Sequence, residues 1–476
     1  MEPDEFRAAG HQLIDWIADY REKVASLPVR SSVLPDEVAR SLPGAPPSSP
    51  DDFEDVLADL DSVVIRGLTH AQHPRNFAWF PSNATFSSVL GDIAAAGIGA
   101  LGITWQSAPA LTELEEVMCE WMRQLTGLPD SFRGTILDGA SSGCLVALLV
   151  ARERASGASQ RRGGLSELTS PLVVYCSSDA HSSVTKAALL AGFGSDNLRL
   201  VPVTGRLRAM SLEALDEAMD EDLRAGRRPA AVVATAGTTA TTAFDPLGGI
   251  AEVARAHDVF MHVDAAMAGS AMLLEEMRPR FSGIECADSV SWNPHKWMGT
   301  VLETSLFYVR DPDELVRVMA TDPSYLRSKA DGSVVQYRDW GIPLGRRFRA
   351  LKLWFQLRLD GPEAIRRRLR RDIASARRLG ELVQEEPDWS LVAPVQLQTV
   401  CVRHEPSGLT ADELDAHTLS WCEAVNASGE AHLTPSLLEG RWMVRVSIGA
   451  ERTEWGDVEA AWDLMRKIAS APLSVR

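Results

Sequence analysis

The sequence predicts an α/β protein: a mostly parallel central sheet with helices on both faces, a helical N-terminal arm and a small α+β domain at the C-terminus. Three observations carry this. From about residue 134, short apolar runs alternate with helical stretches. The runs are near-continuously apolar, as strands covered on both faces require. The first 85 residues carry helical periodicity and no strand pattern.

Taken in order, Phe6, Leu13, Ile14, Ile17, Tyr20 and Val24 recur near a 3.6-residue period and predict the first helix. A loop rich in Pro, Gly and Ser follows at 41–50. Ser49, with Pro50, Asp51 and Asp52 behind it, reads as the capped start of another helix. Leu111, Leu114, Met118, Trp121 and Leu125 line one side of a helix over 107–127, which Gly127 and Pro129 stop. Strands are expected at 135–138, 172–177, 198–203, 230–235, 259–265, 288–293 and 305–309, most of them joined by helical crossovers. Past about 350 the chain reads as helical and then mixed, with strands at 398–403 and 442–448 and a closing helix over 454–469. The expected division is an arm over 1–85, a large α/β domain over 86–350 and a small α+β domain over 351–476.

Composition narrows the function. Lys and Arg number 48 against 65 Asp and Glu, a formal net charge of −17. Such a chain repels phosphate backbones, so nucleic acid is not an expected partner. At 45% hydrophobic residues, it buries enough surface to fold. No apolar run of about 18 residues predicts a membrane span. The start, MEPDEFRAAG, lacks the apolar stretch of a secretory signal, and a cytoplasmic location is expected. Six cysteines without a CxxC argue against a disulfide framework or structural zinc and read as small buried hydrophobes. His70 and His73 form an HxxH, but the sequence places no third ligand, so no metal is expected. The basic run at 365–379 is expected to be a helix face paired with acidic surface.

In open α/β sheets, ligands sit at the carboxyl ends of strands, and several polar residues fall there. Asp264 closes the run VFMHV; taken singly, such an Asp is commonly a helix cap. Lys296, in NPHKW, follows another strand. A desolvated lysine tends towards a lowered pKa and nucleophilic amine chemistry. GASSG at 139–143 joins a strand to a helix and offers backbone N–H groups to a phosphate, although small-residue turns are commonly plain connections. His181 follows LVVYCS, where a lone His is commonly structural. Together, an anion cradle, an acid, an amine and an imidazole are what a pyridoxal phosphate site needs. The helix start would hold the phosphate, the carboxylate would keep the pyridine nitrogen protonated, and the lysine would hold the aldehyde as a Schiff base. An aromatic ring would stack on the pyridine face.

The strings SWNPHKW (291–297), HVDAAMAGS (262–270) and SSDAHSS (177–183) resemble the group II pyridoxal-phosphate decarboxylases, specifically the aromatic-L-amino-acid decarboxylase family. The resemblance continues through NFAWFPSNAT (76–85), SAPALTELE (107–115), VATAGTT (233–239) and YRDWGIPLGRRFRALKLW (337–354). It implies fold type I, pyridoxal 5'-phosphate as cofactor, an amino-acid substrate and a homodimer with a shared active site clasped by the N-terminal arm. It further implies that Lys296 is the Schiff-base lysine, that Asp264 pairs with the pyridinium nitrogen and that Ala266 packs under the ring. His181 would stack on the other face, and Thr235 would hydrogen-bond near the ring or its Asp. Ala140, Ser141 and Asn293 would bind phosphate, and His295 would line the site beside the lysine.

The segment 322–336 is short of apolar residues and by itself reads as a surface loop. In the family it matches a mobile catalytic lid, whose tyrosine is Tyr325. A phenol there can deliver a proton to Cα after CO₂ leaves. Relatives altered at this tyrosine or at the stacking histidine turn towards oxidative deamination and an aldehyde. With Tyr325 and His181 both present, simple decarboxylation to an amine is expected, and the aldehyde route is the alternative. The family's side-chain pocket matches Trp79, Phe80, Pro81, Ser82, Leu101, Ile103, Leu302 and Gly345. Trp79 and Met267 each stand where familiar animal members carry tyrosine, Ile103 and Leu302 where they carry phenylalanine, and Ala71 where they carry tryptophan. The pocket stays apolar, which disfavours an acidic side chain. The expected substrate is aromatic, with tryptophan, tyrosine, phenylalanine and dopa unresolved and a branched aliphatic one open. Gly345, where some relatives carry serine, leaves room for a larger ring.

Overall fold

The computed structural model describes residues 1–321, 324–326, 330 and 332–471. Expectations for Asp322, Pro323, Arg327, Ser328, Lys329 and Asp331 of the lid segment lie outside the described residues. The chain forms two compact units, one of 1–81, 375–392 and 400–476, the other of 82–374 and 393–399.

The first unit opens with α1 (Pro3–Lys23), started by a reciprocal capping box between Glu2 and Glu5 with Pro3 behind it. α2 (Glu37–Ser41) is too short to carry a hydrophobic period, and no apolar pattern predicts it. α3 (Phe53–Asp59) starts after Asp52, three residues later than the Ser49 cap expected. Here Asp52 is the last residue in extended backbone, so Pro50 stays outside the helix.

The second unit holds α4 (Phe86–Ile98) and α5 (Pro109–Thr126), followed by β1 (Arg133–Leu137), α6 (Ala140–Ser156), β2 (Leu172–Ser177), α7 (Ser182–Leu190) and β3 (Leu198–Val201). A small hairpin of β4 (Val203–Thr204) and β5 (Ala209–Met210) precedes α8 (Leu212–Arg224), β6 (Arg228–Thr235), α9 (Leu247–Ala256), β7 (Phe260–Asp264), β8 (Ser289–Trp292), β9 (Ser305–Val309) and α10 (Pro312–Met319). α11 (Ala350–Leu359) and the start of α12 (Gly361–Glu385) complete it. The main sheet has the order β1-β9-β8-β7-β6-β2-β3. β8, β7, β6, β2 and β3 run parallel, and β9 is antiparallel to both its neighbours. The mostly parallel sheet is thus as expected. The run at 198–203 differs: β3 is an edge strand with Leu200 exposed, and Pro202, which has no N–H to donate, separates it from the hairpin. α6 lies close on β8, because at Gly143 a Cβ would come within 2.3 Å of Ser291 Oγ. Register places Thr235 beside Asp264 and Asp264 beside Ser291, so three carboxyl-terminal strand ends form a row.

In the first unit β10 (Trp389–Leu391), β11 (Thr399–His404), β12 (Thr434–Leu438) and β13 (Arg441–Ser447) form a sheet ordered β10-β11-β13-β12, with α13 (Ala411–Ala427) and α14 (Trp455–Ala469). Compactness joins the N-terminal segment to this sheet: Val29 N–H donates to Gly429 O, Phe77 N–H to His432 O and Ser447 N–H to Phe77 O. α11, placed by sequence after the 350 boundary, belongs with the large sheet. Five cysteines are buried as expected, but Cys286 is exposed.

Candidate active site

Lys296 sits in the tight turn Pro294–Met298 directly after β8. Its own backbone leaves the helical region (φ −93°, ψ −108°), which breaks the turn at this residue. Asp264 ends β7 with its side chain buried, and its Oδ1 accepts from the Ala266 amide at 2.9 Å. Asn293 N–H donates to Ala266 O at 2.9 Å, which ties the end of β8 to the loop after Asp264. His181 caps α7, where its Nδ1 accepts from Ser183 N–H at 3.1 Å and leaves Nε2 to carry the proton. Burial pushes this imidazole below its ordinary value; the Asp264 carboxylate opposes the shift and the Lys296 ammonium adds to it. The fold thus brings His181, Asp264 and Lys296 from three separate strand ends into one field.

The start of α6 lies in the same unit. Ala140 N–H donates to Asn293 Oδ1 at 3.1 Å, and Ser141 is exposed in the first turn. A helix N-terminus of this kind suits a phosphate. Thr235 Oγ1, beside Asp264, is buried and has no hydrogen-bond partner among the described residues. A buried hydroxyl in that state fits a ring substituent that completes it. His295 is buried, accepts from Thr304 N–H at 2.9 Å through Nδ1, and is pushed by burial and by Lys296 down to about 4, so it is neutral near pH 7. These residues could hold pyridoxal phosphate. Among the described residues, no three His, Cys, Asp or Glu are placed to hold a metal ion. His70 hydrogen-bonds Tyr20 at 2.9 Å, and His73 approaches Ala25 O at 3.2 Å.

The expected substrate-pocket residues fall in both units. In the first, Trp79 has a left-handed backbone (φ +52°) held from two sides: its N–H donates to Thr434 Oγ1 at 2.6 Å and its O accepts from Arg445 at 3.2 Å. The Arg445 guanidinium also lies 4.9 Å from the Phe80 ring centroid, and Pro81 follows, half-buried. In the second, Leu101, Leu302 and Gly345 are exposed, and Ser82 and Ile103 are half-buried. Arg346 and Gly102 bridge backbone to backbone, so Gly345 lies next to the 101–103 loop. Tyr325 is 78% exposed in a short turn.

Sequence reasoning missed several supports. Asp245 is buried and accepts from the Thr235 and Met210 amides at 2.8 and 3.0 Å; burial raises it to about 6. Arg346 pairs with buried Glu115 at 2.6 Å and holds Ile136 O at 2.8 Å. Arg445 stood in the apolar run WMVRVSI, and a charge inside such a run was the available signal. The basic run at 365–379 is only partly a surface face. Arg370 pairs with Glu276 at 2.7 Å as expected, but Arg368 and Asp372 point to the turn that holds Lys296.

His262 gives a test of how the site tolerates acid. It is fully buried on β7, with Nδ1 at 2.8 Å from Ser289 Oγ, and burial lowers it from 6.5 to about 4. The unfolded chain binds its proton between those values and the folded chain does not. Its contribution is therefore complete above pH 6.5 and is lost as the pH falls through about 4, on the order of 3 kcal/mol. The denaturation midpoint is expected to drop over that window, and less steeply in His262→Gln. Equal slopes would overturn the assignment.

An α/β sheet with a lysine, a carboxylate and an imidazole at or just past the carboxyl ends of β8, β7 and β2, together with a helix N-terminus, defines a class of cofactor-dependent amine-chemistry enzymes. Residues 35–405 match the family described as "Pyridoxal-dependent decarboxylase conserved domain". The chain is 37% identical to the phenylacetaldehyde synthase of Arabidopsis thaliana, over 99% of this chain and 97% of that one. It is 38% identical to tyrosine decarboxylase 4 of Petroselinum crispum, over 99% and 95%. The crystal structure of Oryza sativa TDC with PLP and tryptamine superposes with a TM-score of 0.95 at 34% identity, covering 98% of each chain. The chain belongs to the pyridoxal-dependent decarboxylase family. It is an amino-acid decarboxylase, and its cofactor is pyridoxal 5'-phosphate.

Proposed function

We propose that this enzyme removes CO₂ from an aromatic L-amino acid to give the corresponding amine. The observation that supports this most is the meeting of His181, Asp264 and Lys296, in which both charges act on the imidazole. The chemistry the cofactor supplies when bound is an electron sink for the bond that releases CO₂. Lys296 would hold the cofactor aldehyde through its amine and give way to the substrate amine. Asp264 would keep the proton on the ring nitrogen, and Thr235 would hydrogen-bond beside it. His181, neutral near pH 7, would stack on one ring face and Ala266 would pack under the other. Ala140, Ser141 and Asn293 would hold the phosphate. His295, neutral and acceptor-bound, would line the lysine side without adding a charge. Tyr325 would return a proton to Cα after CO₂ leaves.

The aromatic reading rests on the apolar character of the residues that match the family's pocket, Trp79, Phe80, Pro81, Leu101, Ile103 and Leu302, with Ser82 and Gly345 as the remaining matches. Support also comes from relatives that carry tyrosine decarboxylase activity or were solved with tryptamine. Product mass spectrometry on a panel of aromatic, aliphatic and acidic amino acids tests it. Turnover of acidic substrates alone would refute it. A Cβ at Gly345 meets nothing within 4 Å, so Gly345→Ser folds. It is expected to lower the tryptophan-to-tyrosine ratio of kcat/KM about tenfold, since filling a pocket by one small group is worth about that much. An unchanged ratio would remove Gly345 from the pocket.

The active form would be a cytoplasmic homodimer with a shared active site. Exposed apolar side chains support this: Phe6 and Ile14 on α1 in one unit, Ile93, Ile98 and Leu101 in the other. Among the described residues no helix is long and apolar enough to cross a membrane. Sedimentation at a single chain's mass, or recovery in a membrane fraction, would count against this reading.

A further inference from the structure

The basic run on α12 has a role that its composition hides. Arg368 and Asp372 are four residues apart and so share one helix face. Asp372 is completely buried. Its Oδ2 accepts from the Trp297 indole N–H at 2.9 Å, and its Oδ1 accepts from Arg371 at 3.0 Å. Trp297, also completely buried, is the residue after Lys296. Arg368 donates to the carbonyl oxygens of Trp297, at 3.1 Å, and of Met298. Gly299 follows at φ +94°, and a Cβ there would lie 2.7 Å from the Arg368 guanidinium, so the arginine sits flat on the chain. The same short stretch is held from other elements: Asn83 donates to Lys296 O at 3.4 Å and Gln356 to Met298 O at 3.1 Å. Three successive carbonyls and one indole are thus fixed by side chains remote in sequence, around a residue whose backbone departs from the helical turn.

We propose that Arg368 and Asp372 are positioning residues, which set where the Lys296 amine points by clamping the 297–298 peptides. This rests on the reading of Lys296 as the residue that holds the cofactor. A buried ionised side chain is costly to keep, and a turn needing only to be filled is served by apolar packing. A clamp of charge-assisted hydrogen bonds fixes direction as well as volume. Displacing a reacting group by about 1 Å costs on the order of 10²-fold in rate, so even a partial loosening is measurable.

The test uses the cofactor-loaded enzyme and the variants Trp297→Phe, Asp372→Asn and Arg368→Lys. Trp297→Phe removes the indole N–H and keeps a ring; Asp372→Asn keeps an acceptor. Trp297→Phe and Arg368→Lys are expected to lower kcat about tenfold or more with KM within about twofold, and to shift the pH midpoint of the bound cofactor's visible absorbance. Asp372→Asn is expected to retain more activity than Asp372→Leu. Wild-type kcat and absorbance midpoint in Trp297→Phe and Arg368→Lys, with or without a lower melting temperature, would overturn the proposal. Borohydride reduction and peptide mass analysis of the wild type separate the two readings. No label on Lys296 defeats the lysine assignment itself, whereas label on Lys296 with unaffected variants defeats only the clamp.

Discussion

Lys296→Ala is expected to lower amine formation by on the order of 10⁴-fold or more, because tethering and proton handling at the same nitrogen are lost together. The effect should be chemical rather than structural. Lys296 is only half-buried, and the bonds that hold its turn run from Asn83, Arg368 and Gln356 to backbone carbonyls, which alanine retains. The bound cofactor should remain, held by the α6 start and by Asp264, but without the absorbance of a lysine-linked form. Product mass spectrometry on the aromatic panel reads the result. Amine output within about tenfold of the wild type would show that another group carries the reaction.

The strand ends near Lys296, Asp264 and His181 were legible because strands buried on both faces announce their own carboxyl ends: Asp264 ends β7, and Lys296 and His181 follow β8 and β2 within four residues. What makes those ends a site is register, with Thr235, Asp264 and Ser291 side by side, and strand order is a long-range property no local pattern states. Asp245 and Arg346 were missed for that reason: each partners residues brought near only by folding. The α12 run was misjudged on composition. Seven arginines between 366 and 378 look solvated, but a helix turns Arg368 and Asp372 to one side and Arg370 to another, and only packing decides which side is inside. The edge position of β3 was hidden similarly, since LRLVPV reads as apolar as any central strand.

Tyr325→Phe is expected to leave the fold untouched and to change the product. The side chain is 78% exposed, so removing its hydroxyl strands no buried partner. If the phenol returns the proton to Cα, amine formation should fall by about 10²–10⁴-fold, the range for losing a positioned acid. The substrate carbon left electron-rich by CO₂ loss would then persist and meet dioxygen. Amino acid, O₂ and water would give aldehyde, CO₂, ammonia and hydrogen peroxide. One relative at 37% identity is a phenylacetaldehyde synthase, so the scaffold is compatible with either outcome. Oxygen uptake and aldehyde mass distinguish them in one sample. Aldehyde rising as amine falls assigns the proton to Tyr325. Amine falling alone would mean that Tyr325 serves closure and not proton transfer. An unchanged amine rate would place the proton donor elsewhere, and neutral His181, whose Nδ1 accepts from Ser183 and leaves Nε2 to carry the proton, would be the next group to replace.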